Sequence, residues 1–367
     1  MKLSDRCSLI DSSGIRKVFN LAANMKNPCN LSIGQPDFDV PDDIKEAAIA
    51  AIRAGKNKYT LTAGIPELRK KVLDCYHSQG IAAEDVIITS GTSGGILLSF
   101  LALLNPGDEI LIPDPYFVMY KHLANMIGAV PVFVDTYPDF RLTRERLESC
   151  RTSKTRALII NSPNNPTGIV YSEEEIKTAI AFARGHDLTL ISDEIYEPFV
   201  YDGEFHSAGE FDPNVVILSG LSKSVAMTGW RLGWALGPKE LIAAMSNFQQ
   251  YTFVCAPSPV QEAALVAINR DMTRVQEDYR HRRDLIYEGL RSHGYKVQKP
   301  GGAFYLFPEA PGHDGNAFCP RAIEQELLIV PGSVFSEKNT HFRVSFAASI
   351  KDLERAIGIF GRLIEST

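Results

Sequence analysis

The 367-residue chain has no C-x-x-C pair. Its six cysteines, at positions 7, 29, 75, 150, 255 and 319, are scattered, so zinc-ligand spacing, a dithiol redox motif and a small disulfide scaffold are all excluded. A surplus of positive charge is also missing. Lys and Arg number 38 against 44 Asp and Glu, a formal net charge of −6, so no overall field draws in a polyanion and nucleic acid is not an expected partner. Long hydrophobic runs are absent too. The longest, Ile96 to Leu104, is interrupted by Ser99 and is about half of what a membrane span needs. The opening stretch, Met1 to Gly14, is polar apart from Leu9-Ile10 and lacks the apolar core of a secretory signal. These absences predict a soluble, cytoplasmic protein with no metal and no membrane partner, its cysteines mostly buried as small apolar side chains in a reducing compartment.

What is present is an ordinary globular composition, 45% hydrophobic and 22% charged. At roughly 100 to 200 residues per domain, the length suggests two or three domains. Six short β-branched or aliphatic runs read as buried strands: 86–89, 109–112, 132–134, 157–160, 188–191 and 215–218. Between them lie helical patterns such as Ile96 to Leu104, Tyr116 to Ile127 and Ser172 to Arg184. The last opens on Ser172, with Glu173, Glu174 and Glu175 in the first turn, as a cap and the helix dipole favour. Strand and helix in alternation predict an α/β layer with a mostly parallel sheet. Beyond Gly237 the pattern changes to long helices, Lys239 to Tyr251 and Pro259 to His293, then to short strands at Phe304 to Phe307 and Phe342 to Phe346. That region is expected to be a second, α+β unit. The first 40 residues, broken by Pro28, Gly34, Pro36 and Pro41, are expected to drape over a surface or join it.

In an open α/β sheet the ligand sits beyond the carboxyl ends of the strands, so the residues just after each run matter most. After 86–89 comes Ser90-Gly91-Thr92-Ser93-Gly94-Gly95 and then a helix. Small residues at a helix start can cradle a phosphate, although such a turn is more often only a turn. After 157–160 comes Asn161-Ser162-Pro163-Asn164-Asn165-Pro166-Thr167-Gly168, which by itself reads as a proline-locked loop. After 188–191 come Asp193 and Tyr196, where the aspartate could cap a helix or face a buried cation. After 215–218 comes Ser219-Gly220-Leu221-Ser222-Lys223, with Arg231 downstream. Apolar runs on both sides of Lys223 suggest a desolvated amine, and burial lowers a lysine pKa toward that of a Schiff-base nucleophile. An anion cradle, a buried lysine, an aspartate, an asparagine, a tyrosine and an arginine on one sheet edge match what pyridoxal 5'-phosphate requires.

Over nearly its whole length the chain resembles the class I/II aminotransferases of fold type I, with aspartate and aromatic aminotransferases as the nearest branch. The resemblance rests on IGQPDFDVP (33–41), YTLTAGIPELR (59–69), PDPYFVMY (113–120), SPNNPTG (162–168), SDEIYEPF (192–199), SGLSKSVAMTGWRLGW (219–234), GGAFYLF (301–307), PGSVF (331–335) and FRVSFA (342–347). It implies that Lys223 bonds the cofactor and shuttles the α-proton, and that Asp193 pairs with the pyridine N–H. Asn165 and Tyr196 would hydrogen-bond the phenolate oxygen, and Tyr116 would stack on the ring. The phosphate would rest on Gly91, Thr92 and Ser93 with Ser222 and Arg231, while Tyr59 would reach in from the other subunit of a homodimer. Arg343 would clamp the substrate α-carboxylate, helped by Asn165 and the backbone of Gly34. Two departures stand out. Ser93 occupies a position where one aspartate-specific subgroup has a lysine for the distal carboxylate, and Gly220 stands where the family often has a hydroxyl.

The fold implied is a large α/β domain, residues 42–290, with a mixed, mostly parallel seven-stranded sheet whose last strand, Leu232 to Leu236, runs antiparallel. A smaller α+β domain would combine residues 1–41 and 291–367. The activity implied is ping-pong transamination from an L-amino acid, aspartate or aromatic, to a 2-oxo acid such as 2-oxoglutarate. Two alternatives stand beside it: a β-lyase of the cystathionine-cleaving kind on the same fold, and a non-catalytic binding protein that retains the fold. The alternatives differ in what leaves the site, not in the residues that line it.

Overall fold

A computed structural model describes residues 1–10, 14, 15, 18 and 25–365. After a short strand, β1 (Cys29–Asn30), the chain lays down seven strands: β2 (Asp85–Ser90), β3 (Glu109–Asp114), β4 (Val130–Asp135), β5 (Thr155–Asn161), β6 (Thr189–Asp193), β7 (Val216–Gly220) and β8 (Leu232–Gly237). They form one sheet in the order β2-β8-β7-β6-β5-β3-β4. Only β8 runs against its neighbours, β2 and β7; the other pairs are parallel. All six strand runs read from the sequence lie in this sheet, as does the antiparallel seventh.

The sheet is covered on both faces because alternate side chains on each strand point to opposite sides. Ile88, Leu111, Leu158, Ile160, Leu190, Ile217 and Leu236 enter one apolar core. Their neighbours Ile87, Ile110, Ile112, Ile159, Ile191, Val216 and Ala235 enter the other. The helix Gly91–Leu103 is apolar nearly all round and buries Ile96, Leu98 and Phe100 in the second of these. Its first residue follows β2 directly, so the helix N-terminus sits at a carboxyl-terminal strand edge.

The second unit has its own aromatic core, including Tyr279, Phe304, Phe318, Phe342 and Phe360. Its strands are short: β9 (Tyr305–Leu306), β10 (Leu327–Leu328), β11 (Val330–Pro331) and β12 (Phe342–Ser345). β12 lies antiparallel between β11 and β9. β1 pairs in parallel with β10, so the early chain does join the C-terminal unit. One expected element differs. The stretch 259–293 is two helices, Ser258–Ala267 and Thr273–Ser292, not one. Asn269 between them is left-handed at φ 66°, and the Asp271 carboxylate accepts the Thr273 N–H as a new helix opens. The second helix sends Tyr279, Ile286 and Leu290 into the aromatic core, so the packing of the second unit begins here, before residue 291. Among the described residues no helix is long and apolar enough to cross a membrane, and no group of side chains has a metal-binding arrangement.

The helix Glu173–Gly185 carries the capping box that its sequence predicts, with Ser172 Oγ accepting the Glu175 N–H and the Glu175 carboxylate accepting the Ser172 N–H. Ser172→Ala should therefore cost about 1 kcal/mol of stability in urea denaturation, with no change at the strand edge described next.

Candidate active site

The carboxyl ends of β5, β6 and β7 and the start of the Gly91 helix converge on a cavity of about 230 Å³. At one end lies an anion cradle. Gly91 has φ +66°, and a Cβ there would sit 2.7 Å from Arg231 Nη2, so only glycine allows the guanidinium to lie against the helix start. Thr92 and Ser93 follow in the first turn, whose N–H groups have no partner within the helix. Arg231 Nη2 lies 3.4 Å from Ser93 Oγ, and Ser222 and Thr228 line the same end. At Gly220 a hydroxyl-bearing residue has no room: a Cβ would meet Gly233 Cα at 2.8 Å and Leu232 O at 2.9 Å. Thr228, which sequence reasoning passed over, lines the cavity, and its main-chain oxygen accepts from Arg231 Nη1 at 3.1 Å.

Lys223 is half-buried at the cavity wall, and its Nζ donates to Gly34 O at 2.7 Å. Burial, then the positive charges of Arg343 and Arg231, lower its pKa from 10.5 to about 8, against an opposing pull from Asp193. Asp193 ends β6 and is 2% exposed. Burial raises its pKa to about 6, while the Tyr120 hydroxyl at 2.6 Å, the Ile195 N–H and Lys223 act the other way. Asn161 stands beside Asp193 in the strand register and donates its Nδ2 to Asp193 O at 2.8 Å; its Oδ1 accepts the Asn165 N–H. The asparagine loop is thus tied to the aspartate strand.

Tyr196 and Tyr305 share a hydroxyl to hydroxyl hydrogen bond of 2.8 Å. Burial lifts both phenol pKa values, so both stay protonated near neutrality. Gly34 is required by this pair, since a Cβ there would lie 2.2 Å from Tyr305 Oη. Arg343, 1% exposed, donates from Nη1 to Asn165 Oδ1 at 2.9 Å and from Nη2 to Ser32 O at 2.7 Å. Its Nε–H is buried without a hydrogen-bond partner among the described residues.

Gly34, Thr92, Ser93, Asn165, Asp193, Tyr196, Ser222, Lys223, Arg231 and Arg343 all line this one cavity, with Gly91 at its rim against Arg231. Two expected residues do not. Tyr116 is buried outside the cavity lining, stacked on Phe133 at 4.7 Å with its hydroxyl on Glu337, whereas its neighbour Phe117 lines the cavity. Tyr59 is 84% exposed on the outer surface and lies outside the cavity of its own chain. Asn161, Tyr120, Phe117, Thr228 and Tyr305 were missed from the sequence. Asn161 could have been found, because it is the last residue of its strand just as Asp193 is of the next.

A family model described as aminotransferase class I and II matches residues 26–360. A probable aspartate aminotransferase of Methanocaldococcus jannaschii is 38% identical over 99% of this chain and 100% of its own length. Aromatic-amino-acid aminotransferase 2 of Thermococcus litoralis is 39% identical over 97% of each chain. The solved structure of Thermus thermophilus aspartate aminotransferase with maleate superposes with a TM-score of 0.94 at 37% identity, covering 99% of this chain and 100% of that one.

The depressed Lys223 pKa has a direct readout. In ligand-free protein, acylation of Lys223 by an amine-selective reagent should titrate near pH 8, against 10.5 for an ordinary lysine. Arg343→Met removes a positive neighbour, so it should move that midpoint upward.

Proposed function

This chain belongs to the aminotransferase class I and II family, and on that premise we propose that it binds pyridoxal 5'-phosphate and moves the amino group of an L-amino acid to a 2-oxo acid such as 2-oxoglutarate by a ping-pong cycle. The observation that carries the reading is the meeting of Lys223, Asp193 and Arg343 in one cavity that also holds a helix N-terminus.

The residues present fit the cofactor. The glycine-allowed cradle of Gly91, Thr92 and Ser93, with Ser222, Thr228 and Arg231, suits a phosphate dianion. Tyr196, and Asn165 through Nδ2 now that its Oδ1 is engaged by Arg343, suit the phenolate oxygen. Asp193 suits the pyridine nitrogen, Phe117 the ring face, and Lys223 the aldehyde carbon. Bound there, the group supplies a carbonyl that takes up nitrogen and a ring that accepts electrons from the substrate Cα.

The protein's own work is positional and electrostatic. Asp193, buried and held by the Tyr120 hydroxyl, keeps a proton on the ring nitrogen. Lys223 Nζ, with a pKa of about 8, removes the proton from the substrate Cα and returns it during transfer. Arg343 binds the α-carboxylate through the Nη N–H groups left after its bonds to Asn165 and Ser32, which orients the Cα proton toward the lysine. The apolar side chains of Ile15, Ile96 and Phe117 line the same cavity and support an aromatic donor. Its cations are Lys223, Arg231 and Arg343, all engaged in the roles above, so aspartate would need its second carboxylate matched by other donors.

The working unit in this reading is a cytoplasmic homodimer in which Tyr59 reaches the partner's phosphate site. Two buried glutamines support it by fixing the surface that Tyr59 presents. Gln249 donates to Thr62 O and Ile88 O, and Gln261 accepts the Ile65 N–H and donates to Thr60 Oγ1. They hold Tyr59 and Leu61 on the outside, where Tyr251 is 90% exposed as well. Large apolar side chains so exposed mark a contact surface.

Visible absorbance of the purified holoenzyme tests the reading. L-Phenylalanine or L-aspartate should shift the bound-cofactor band with no acceptor present, and 2-oxoglutarate should restore it. Ammonia and pyruvate from cystathionine, with no shift from either amino acid, would make the protein a lyase instead. Asp193→Ala should retain cofactor and lose turnover by roughly 100-fold or more; a near-wild-type rate would remove Asp193 from the proposed role.

A further inference from the structure

The guanidinium of Arg343 lies between two rings. Its Cζ is 4.5 Å from the Tyr305 ring centroid on one side and 4.4 Å from the Phe335 centroid on the other. Tyr305 lines the cavity; Phe335, fully buried, backs the arginine from outside it. With two rings against it and one N–H of each Nη bonded, the guanidinium is held in place, and the second N–H of each Nη is left to meet a carboxylate.

Phe335 does not hold this position alone. It ends the turn Gly332–Val334 in the C-terminal unit, and its carbonyl accepts the N–H of Tyr116, which follows β3 in the large sheet, at 2.8 Å. The Tyr116 hydroxyl donates to Glu337 Oε1 at 2.7 Å, and Lys121 Nζ meets the same oxygen at 2.7 Å. The Glu337 N–H donates to Asp114 Oδ2 at 3.1 Å, and Tyr137 Oη donates to Ser336 Oγ at 2.9 Å. Apart from the Lys121 bond, which comes from the helix Met119–Ile127, these bonds join the ends of β3 or β4 to residues 335–337. Tyr116 makes two of them, at both ends of that segment, and is itself braced by Phe133.

We infer that Tyr116 is a positioning residue for substrate: by fixing residues 335–337 it seats the Phe335 ring on Arg343 and so sets the orientation of the carboxylate clamp. The inference rests on the reading of Arg343 as the α-carboxylate site. It assigns Tyr116 to substrate affinity, through two intermediates, and not to the cofactor ring.

Tyr116→Phe is the direct test because it deletes the Glu337 bond while keeping the ring on Phe133 and the main-chain bond to Phe335. In the holoenzyme, with L-phenylalanine and 2-oxoglutarate, KM should rise about tenfold for both substrates, the effect of losing a hydrogen bond to a charged group, with kcat nearly unchanged. The inhibition constant of 3-phenylpropionate, which carries the carboxylate and lacks the amine, should rise by the same factor. Phe335→Leu should give the same split. In an Arg343→Lys background, Tyr116→Phe should lower kcat/KM no further, whereas a general loss of stability would add to the first defect. The bound-cofactor absorbance should be unaltered in Tyr116→Phe and in Tyr116→Leu. Unchanged KM, an equal fall in kcat, additive losses with Arg343→Lys, or a displaced cofactor band in Tyr116→Leu would each overturn the assignment. The wild-type response to L-phenylalanine is the separate control: its absence defeats the functional reading, while its presence with an unaffected variant defeats only this inference.

Discussion

Taking charge out of water is the constraint on which this structure depends. A carboxylate, an amine and the guanidinium of Arg343 are withdrawn from water around one small cavity, and each would be costly there alone. The protein meets the cost by hydrogen-bonding the buried groups to fixed dipoles. Asp193 accepts hydrogen bonds from the Tyr120 hydroxyl and a main-chain N–H, Lys223 donates one to Gly34 O, and Arg343 donates two, to Asn165 and Ser32. The same desolvation that makes these bonds necessary moves the acid up and the base down, to about 6 and about 8. Two groups with ordinary values several units apart are thereby brought to either side of neutrality.

Much of this was legible without coordinates because parallel sheets bury both faces of every strand. Runs such as 157–160 and 215–218 have no polar alternation, and their ends are marked by the first polar residue. Asp193, Lys223 and the glycines after β2 fall at those ends, where the fold forces function to collect. The single-residue difference between Tyr116 and Phe117 was not legible. Adjacent aromatics leaving a strand diverge to opposite sides, and which one lines the cavity is decided by what the other can reach, here Glu337 and Phe133. The break between the two helices at 268–272 was hidden for a related reason: the amphipathic pattern continues across it, and only Asn269 and Asp271 betray the turn.

Tyr305 and Phe335 belong to the half of the protein that sequence patterns describe least well. Strands of two residues, such as β9 and β11, have no periodicity to read, and their order follows from the aromatic core that surrounds them. Yet that unit delivers Arg343 and both rings that enclose it. The large sheet supplies the lysine and aspartate of the cavity; the small unit supplies its buried arginine.

The acceptor of Arg343 Nη2 is Ser32, 311 positions earlier in the chain, and that of Lys223 is Gly34, 189 positions earlier. Chains are made from the N-terminus, so a nascent polypeptide can own all seven strands of the large sheet while still lacking its arginine clamp. Ser32 must then wait for β12 before it has its partner, whereas Gly34 can meet Lys223 once the large sheet is made. One short early segment thus ties together parts of the chain made far apart in time.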